Sequence, residues 1–232
     1  EICREYRVAI IEDAAESLGA NYNGRSSGNF GDVSILSFNG NKIITPSGGG
    51  MLLTEDSEIA TRTKYLSTQA KEDVAWYEHS EIGYNYRMSN ILAGIGRGQL
   101  SVLDDRVCAR RNIFDRYVQL LKDYPCIQWM PEPDNFFSTR WLSTACIDLE
   151  NVDIANIVSR LAQRKIETRQ LWKPMHIQPV YSDSAYFPHE TDYSVCDDLF
   201  KRGICLPSSS HLTVEQQETV AHALTEVLEA ES

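Results

Sequence analysis

Basic charge is scarce in this 232-residue sequence: 22 Lys and Arg stand against 33 Asp and Glu, a formal net charge of −11. A surface so short of cations cannot neutralise a phosphate backbone, and no Lys/Arg stripe interleaved with aromatics offsets the deficit locally, which excludes nucleic acid as a partner. Long apolar runs are missing too. The stretches at residues 8–11 and 51–53 fall far short of the roughly 20 residues that cross a bilayer, and no charged-apolar-small signal segment opens the chain. Both absences exclude a membrane partner and point to the cytoplasm. The six cysteines form no C-x-x-C pair and no His lies at zinc-ligand spacing, so the thiols read as reduced and no metal centre is expected. What is present is ordinary: 42% hydrophobic and 24% charged residues describe a globular protein of one large domain or two modest ones. The chain starts at Glu1 and enters almost at once a strand that reads as buried, which leads us to expect a further N-terminal part.

The first hundred residues alternate short apolar strands with helical stretches, an α/β pattern. Residues 8–11 form a continuous apolar run ending in Glu12-Asp13, and residues 33–38 form a second run ending near Asn39-Gly40; both read as central and buried. Gly48-Gly49-Gly50 separates Ile43-Ile44 from residues 51–53, as a glycine turn or close approach between two strands would. Residues 58–66 read as a helix. From Ser89, an N-cap, to Tyr124 no proline interrupts apolar residues at helical spacing, so one long helix or two joined end to end are expected. The Pro-rich stretch beyond Tyr124 marks a domain boundary, giving domains at 1–124 and 125–232. Past it, 141–149 reads as a strand, 153–165 as a helix and 166–169 as a short strand, and Thr213 with Gln216 makes a capping box for a last helix.

Chemistry concentrates after the second apolar run. Lys42 follows that strand and is flanked by small polar residues and glycines, where a compact ligand could reach a desolvated amine. A buried amine has a lowered pKa and can attack a carbonyl to form a Schiff base. Taken alone, a loop lysine is more often a solvated surface charge. The first run delivers Asp13 at its carboxyl edge, where open parallel sheets place ligands. A carboxylate there could hold a protonated pyridine nitrogen, or it could simply cap a following helix. The run Gly94-Ile95-Gly96-Arg97-Gly98 lies inside the helical pattern and not after a strand, so it is read as close helix packing and not as a dinucleotide loop. The pairs Asp104-Asp105 and Asp197-Asp198 are read as solvated helix faces, because adjacent side chains on a helix diverge.

Taken together, Ile11-Glu12-Asp13-Ala14-Ala15-Glu16-Ser17-Leu18-Gly19-Ala20, then Phe30-Gly31-Asp32, then Ser37-Phe38 followed by Lys42 and the triple glycine resemble the core of the DegT/StrS-type nucleotide-sugar aminotransferases. Gly83-Tyr84-Asn85-Tyr86-Arg87-Met88, Trp172-Lys173-Pro174-Met175-His176 and Leu206-Pro207-Ser208 agree in order and spacing. The resemblance implies a pyridoxal-phosphate (PLP) enzyme of fold type I. The expected architecture is α/β: the C-terminal part of a large domain, a mainly parallel sheet with helices, followed by a small α+β domain.

By that resemblance Lys42 is the internal-aldimine lysine and proton shuttle, Asp13 the partner of the pyridine nitrogen, Glu16 a neighbour of the cofactor's 3-hydroxyl and Ser37 a phosphate-binding hydroxyl. Asn85 matches a loop asparagine that reaches the cofactor phosphate of the other subunit, which implies a homodimer with shared active sites. Arg87 pairs either with a carboxylate of the amino donor or with a structural acid. Lys173 and His176 lie in a segment that lines the nucleotide-sugar site in relatives. The implied reaction moves an amino group from L-glutamate to a keto group of a nucleotide-linked hexose, and Glu16 with the Trp-Lys-Pro-Met-His segment leans towards a 4-amino product. Relatives carry a substantial segment ahead of residue 1 that completes the sheet, the phosphate cup and the ring platform. The chain alone is therefore expected to bind cofactor poorly. Two other readings stand beside this one. One is a non-catalytic interaction protein on the retained scaffold; the other is a PLP-dependent sugar dehydratase, which Lys42 opposes because that branch carries His.

Overall fold

The computed structural model describes residues 1–190 and 193–230. The chain folds into two compact units. One comprises Glu1–Cys108 with Glu132–Trp141, the other Ala109–Pro131 with the chain from Leu142 on.

In the first unit a short helix α1 (Ile2–Glu5) leads into β1 (Ile11–Asp13), the hairpin of β2 (Asn21–Tyr22) and β3 (Arg25–Ser26), then β4 (Val33–Ser37) and β5 (Gly50–Leu53). β4 is the middle strand of a three-stranded sheet: β1 runs parallel to it with Asp13 opposite Ile35, and β5 lies antiparallel on its other side with Gly50 opposite Ser37. Two expectations need correction here. Residues 8–10 lie outside β1, which is at the edge of its sheet in this chain, and Val8 and Ile11 are 56% and 75% exposed. Ile43 and Ile44 form no strand; Ile44 is buried within the loop that joins β4 to β5.

Glu12 fixes how that sheet meets its flanking loop. Side chains alternate along a strand, so Glu12 faces the side opposite to Asp13. Its carboxylate accepts the backbone N–H groups of Gly28 and Phe30 at 2.7 Å and Gly31 at 3.3 Å, and the Ser34 hydroxyl at 3.0 Å. Partial burial works against the charged form, but these four donors outweigh it and hold the Glu12 carboxyl below the usual carboxylate range.

Helix α2 (Ser57–Ser67) is capped by Asp56, whose side chain accepts from Glu58 and Ile59, and α3 (Asn90–Leu100) is capped by Ser89. A break at Ser101-Val102 separates α3 from α4 (Leu103–Leu120), so the long proline-free stretch is two helices end to end. The glycines of α3 do not serve close packing as expected. A Cβ at Gly94 or Gly98 would meet no atom within 4 Å, and at Gly96 it would make an ordinary contact with Pro46 at 3.6 Å. The chain then forms β6 (Ile127–Trp129) in the second unit and β7 (Phe136–Phe137) in the first, where β7 pairs with β2 and stacks Phe136 on Tyr22 with ring centroids 4.5 Å apart. The stretch around β7 falls in the expected 125–232 domain by position along the chain, yet its backbone hydrogen bonds lie in the first unit.

The second unit is an antiparallel sheet in the order β6, β8 (Ser143–Ile147), β10 (Gly203–Leu206), β9 (Arg169–Gln170), with helices α5 (Ile154–Gln163), α6 (Val195–Arg202) and α7 (Val214–Glu229). Helix α5 starts at the Asp153 cap and buries Ile154, Ile157 and Leu161, one helical face, against a continuous core that includes Tyr117, Ile147, Ile204 and Leu224. The expected Thr213–Gln216 capping box opens α7. Two polar side chains in this core are partnered: the Tyr117 hydroxyl donates to the Pro207 carbonyl at 3.0 Å, and buried Gln217 donates to the Ile113 carbonyl at 2.9 Å. Burial pushes the Tyr117 phenol well above its ordinary value. The six cysteines are free thiols, as expected.

Replacing Leu224, which is fully buried, by alanine is expected to destabilise the second unit by about 2–5 kcal/mol through lost transfer energy and a residual cavity, measurable by urea unfolding. Glu12→Gln is expected to cost the first unit about 2–3 kcal/mol at neutral pH, since charge-assisted hydrogen bonds are the stronger kind. The folded Glu12 carboxyl lies below its unfolded value of about 4.3, so its contribution is complete above that value and disappears as pH falls through the folded one. The wild type and Glu12→Gln should therefore converge in stability on acidification; a constant gap down to strongly acidic pH would refute the assignment.

Candidate active site

Because β1 and β4 are parallel, their carboxyl ends lie at the same edge of the sheet. Asp13 ends β1 and Ser37 ends β4. Asp13 is opposite Ile35, and Ile35 and Ser37 alternate with the buried Ser34 and Leu36, so Asp13 and Ser37 share one face while Glu12 and Ser34 share the other. The hydrogen bond between Glu12 and Ser34 confirms this parity. The Asp13 side chain accepts the Ala15 N–H at 3.1 Å, and it is otherwise exposed. It caps the turn after β1 without burying its charge.

That turn carries Glu16 back to Lys42. The Lys42 amine donates to Glu16 Oε1 at 2.8 Å, and its side chain is only 12% exposed against 48% for Glu16. The loop that presents Lys42 is tied to itself: the Lys42 N–H donates to the Asn39 carbonyl at 3.0 Å, the Thr45 hydroxyl to the Phe38 carbonyl at 2.8 Å and the Phe38 N–H to the Gly49 carbonyl at 2.9 Å. Ser37 Oγ accepts the Asn39 N–H at 3.4 Å. Gly49 has φ +108°, and a Cβ there would stand 2.4 Å from the Met88 side chain, so Gly49 takes a backbone conformation that favours glycine.

Asn85 is held by its backbone. It forms an isolated antiparallel bridge with Thr68, flanked by Tyr84 N–H to Leu66 carbonyl at 2.7 Å and Gln69 N–H to Tyr84 carbonyl at 2.9 Å, while its side chain is exposed. Gly83 is required for this return: a Cβ would lie 2.2 Å from the Ala70 backbone nitrogen. Arg87 is exposed, lines a cleft with Arg25 and Lys64, and forms no ion pair among the described residues.

Lys173 and His176 belong to the second unit. Lys173 is exposed. His176 Nε2 lies 2.8 Å from Asp197 Oδ1, and its ring stacks on Tyr186 with centroids 3.7 Å apart. The expected solvated pair Asp197-Asp198 is instead partnered, Asp197 with His176 and Asp198 with Arg202. His176, Cys196 and Asp197 bring ligand-type atoms within 4.8 Å of one another, a cluster that sequence spacing does not show because His176 lies in a different element.

Two participants escape sequence reasoning altogether. Glu12 reads there as a neighbour of Asp13, whereas it organises the loop behind it. Trp141, buried, places its ring centroid 4.7 Å from the Lys42 amine although it is 99 positions away along the chain. Strand alternation could have separated Glu12 from Asp13; no local signal marks Trp141.

An amine held beside a carboxylate, at a sheet edge with a second carboxylate and a hydroxyl on one face, fits a small phosphorylated aromatic aldehyde. Comparison with known proteins agrees. Over 223 residues the chain is 51% identical to EpsN of Bacillus subtilis (strain 168), whose name describes a pyridoxal phosphate-dependent aminotransferase, covering 96% of this chain and 57% of that one. It is 35% identical over 226 residues to GDP-perosamine synthase of Escherichia coli O157:H7, covering 97% and 60% respectively. The crystal structure of the aminotransferase TlmJ from Streptoalloteichus hindustanus superposes with a TM-score of 0.88 at 28% identity, covering 99% of this chain and 61% of that one. The chain thus spans about three-fifths of the length of these relatives. No described helix is long and apolar enough to cross a membrane. With the family model matching residues 1–225, the chain belongs to the DegT/DnrJ/EryC1/StrS aminotransferase family.

Proposed function

We propose that the protein works as a PLP-dependent aminotransferase that moves an amino group from L-glutamate to a keto group of a nucleotide-linked hexose. The observation that carries this reading is the Lys42 amine, nearly enclosed, 2.8 Å from Glu16 and presented at the edge where β1 and β4 end. When bound, PLP would supply an electron sink that stabilises negative charge at the carbon bearing the transferred amino group. The residues here fit that group by their chemistry. Lys42 supplies a nucleophilic amine and afterwards a base that holds and returns a proton. Asp13 supplies a negative charge for a pyridinium nitrogen, and its single backbone hydrogen bond leaves one oxygen available. Glu16 accompanies the amine, and the Ser37 and Asn85 side chains offer hydrogen-bonding groups to a phosphate, Asn85 towards a partner subunit in a homodimer.

Arg87, exposed and without an acidic partner among the described residues, supports a role in binding the glutamate carboxylate. Lys173 and His176 are proposed to contact the nucleotide sugar, with Asp197 orienting the imidazole. The 35% identity to a GDP-perosamine synthase supports a nucleotide-linked substrate, and Glu16 with the segment Trp172 to His176 supports amination at C4. A cytoplasmic biosynthetic role, in making the sugars of a polysaccharide, follows from a substrate of this kind. Lys42 opposes the dehydratase reading, in which His stands at this position.

The full-length gene product, incubated with PLP, is expected to gain the visible absorption of a lysine-bound pyridoxal and to convert glutamate to 2-oxoglutarate when supplied with a nucleotide-linked 4-keto hexose. Lys42→Ala should abolish both; persistence of the absorption in Lys42→Ala would refute the assignment. NMR of the product reads which carbon carries nitrogen. Asp13→Asn should leave the absorption in place yet slow turnover by roughly 10²-fold or more, on the scale of removing one preorganised charge from a reacting centre.

A further inference from the structure

We propose that Trp141 is a positioning residue for the Lys42 amine, acting through its ring face on the amine and through its indole N–H on the backbone beside it. The inference rests on the assignment of Lys42 given above and adds a residue that no motif connects to it. The Trp141 Nε1–H donates to the Asn41 carbonyl at 2.9 Å, and the ring centroid lies 4.7 Å from Lys42 Nζ. Trp141 itself is 8% exposed, and both residues lie in the first unit, because Glu132–Trp141 joins it.

The two contacts on the amine differ in kind. Glu16 is about half exposed, so its attraction for the ammonium is screened by water and does little to fix a flexible four-carbon stem. The indole face is buried, and a cation above a desolvated aromatic ring is attracted more strongly than at an exposed one. The same side chain holds the carbonyl of the residue preceding Lys42. It therefore fixes the base of the lysine stem as well as its tip, and one ring keeps the amine in a defined place and limits its access to water. A purely structural tryptophan would need only the hydrogen bond and its own burial.

The test compares Trp141→Phe, which keeps an aromatic face and removes the N–H, with Trp141→Leu, which removes both. Cofactor-free, full-length protein is labelled with trace acetic anhydride, and the rate at Lys42 is read by peptide mass spectrometry against the remaining lysines as internal controls. Trp141→Leu is expected to raise Lys42 labelling roughly fivefold, and Trp141→Phe by less than about twofold, in line with the strength of a desolvated cation–aromatic contact. In the PLP-loaded enzyme Trp141→Leu should lower kcat with little change in the nucleotide-sugar KM, with Trp141→Phe restoring most of the loss. If Trp141→Leu fails to fold, Trp141→Met, which fills the space without a π face, takes its place with the same thresholds. Labelling of Lys42 unchanged in the folded variant, or raised equally in the Phe and Leu variants, overturns the proposal. Because the labelling needs no cofactor, its failure is separate from failure of the Lys42 assignment, which shows instead as visible absorption surviving in Lys42→Ala.

Discussion

The parallel pairing of β1 with β4 is the constraint on which the chemistry of the first unit depends. Parallel strands send their carboxyl ends to one edge, and the register that sets Asp13 opposite Ile35 places Asp13 and Ser37 on the same face. A shift of one residue would exchange the faces. Glu12 opposes such a shift, since its hydrogen bond to Ser34 crosses the β1–β4 pairing at the observed register and its bonds to Gly28, Phe30 and Gly31 tie the same carboxylate to the loop before β4. The acid beside the candidate catalytic acid thus acts differently, fixing the strand so that its neighbour points the other way.

A second consequence concerns the amine. A lysine in a glycine-rich loop would ordinarily sample many rotamers with its charge in water. Here the loop between β4 and β5 is closed on itself by the Phe38–Gly49 and Thr45–Phe38 hydrogen bonds, and Glu16 returns from β1 to meet the amine. The site is therefore assembled from the ends of two adjacent strands and the turns that leave them. Only such a juxtaposition puts two acids of one sequence motif to separate uses, Asp13 exposed at the edge and Glu16 on the amine.

The two units differ in how they bury apolar surface. The second has a continuous core to which α5, α7 and the strands β6, β8 and β10 contribute buried Ile, Leu and Val side chains. Its capping box and the helix beginning at Asp153 are local features, and both were legible along the chain. In the first unit apolarity proved a poor guide to strand position. Val8 and Ile11 are apolar enough for a central strand, yet they are exposed beside β1, which has a single strand neighbour. Ile43 and Ile44 are β-branched and adjacent, yet the loop that carries Lys42 takes them out of the sheet. In both cases pairing partners, not propensity, decided the outcome.

The sequence by itself determined the family, the α/β character, the helix starts at Ser89, Asp153 and Thr213, and the candidate residues Asp13, Glu16, Ser37, Lys42, Asn85 and Arg87, because caps, periodicities and motif spacings are short-range properties of the chain. The tertiary structure alone decided which of these meet and what supports them. It turned Glu12 and Asp13 to opposite faces, gave Arg87 no acidic partner among the described residues, paired His176 with Asp197, and brought Trp141 onto Lys42. Such contacts come from strand register and from the return of β7 to the first unit. Their energy depends on distance and burial, and residues far apart in sequence acquire both only when the chain has folded.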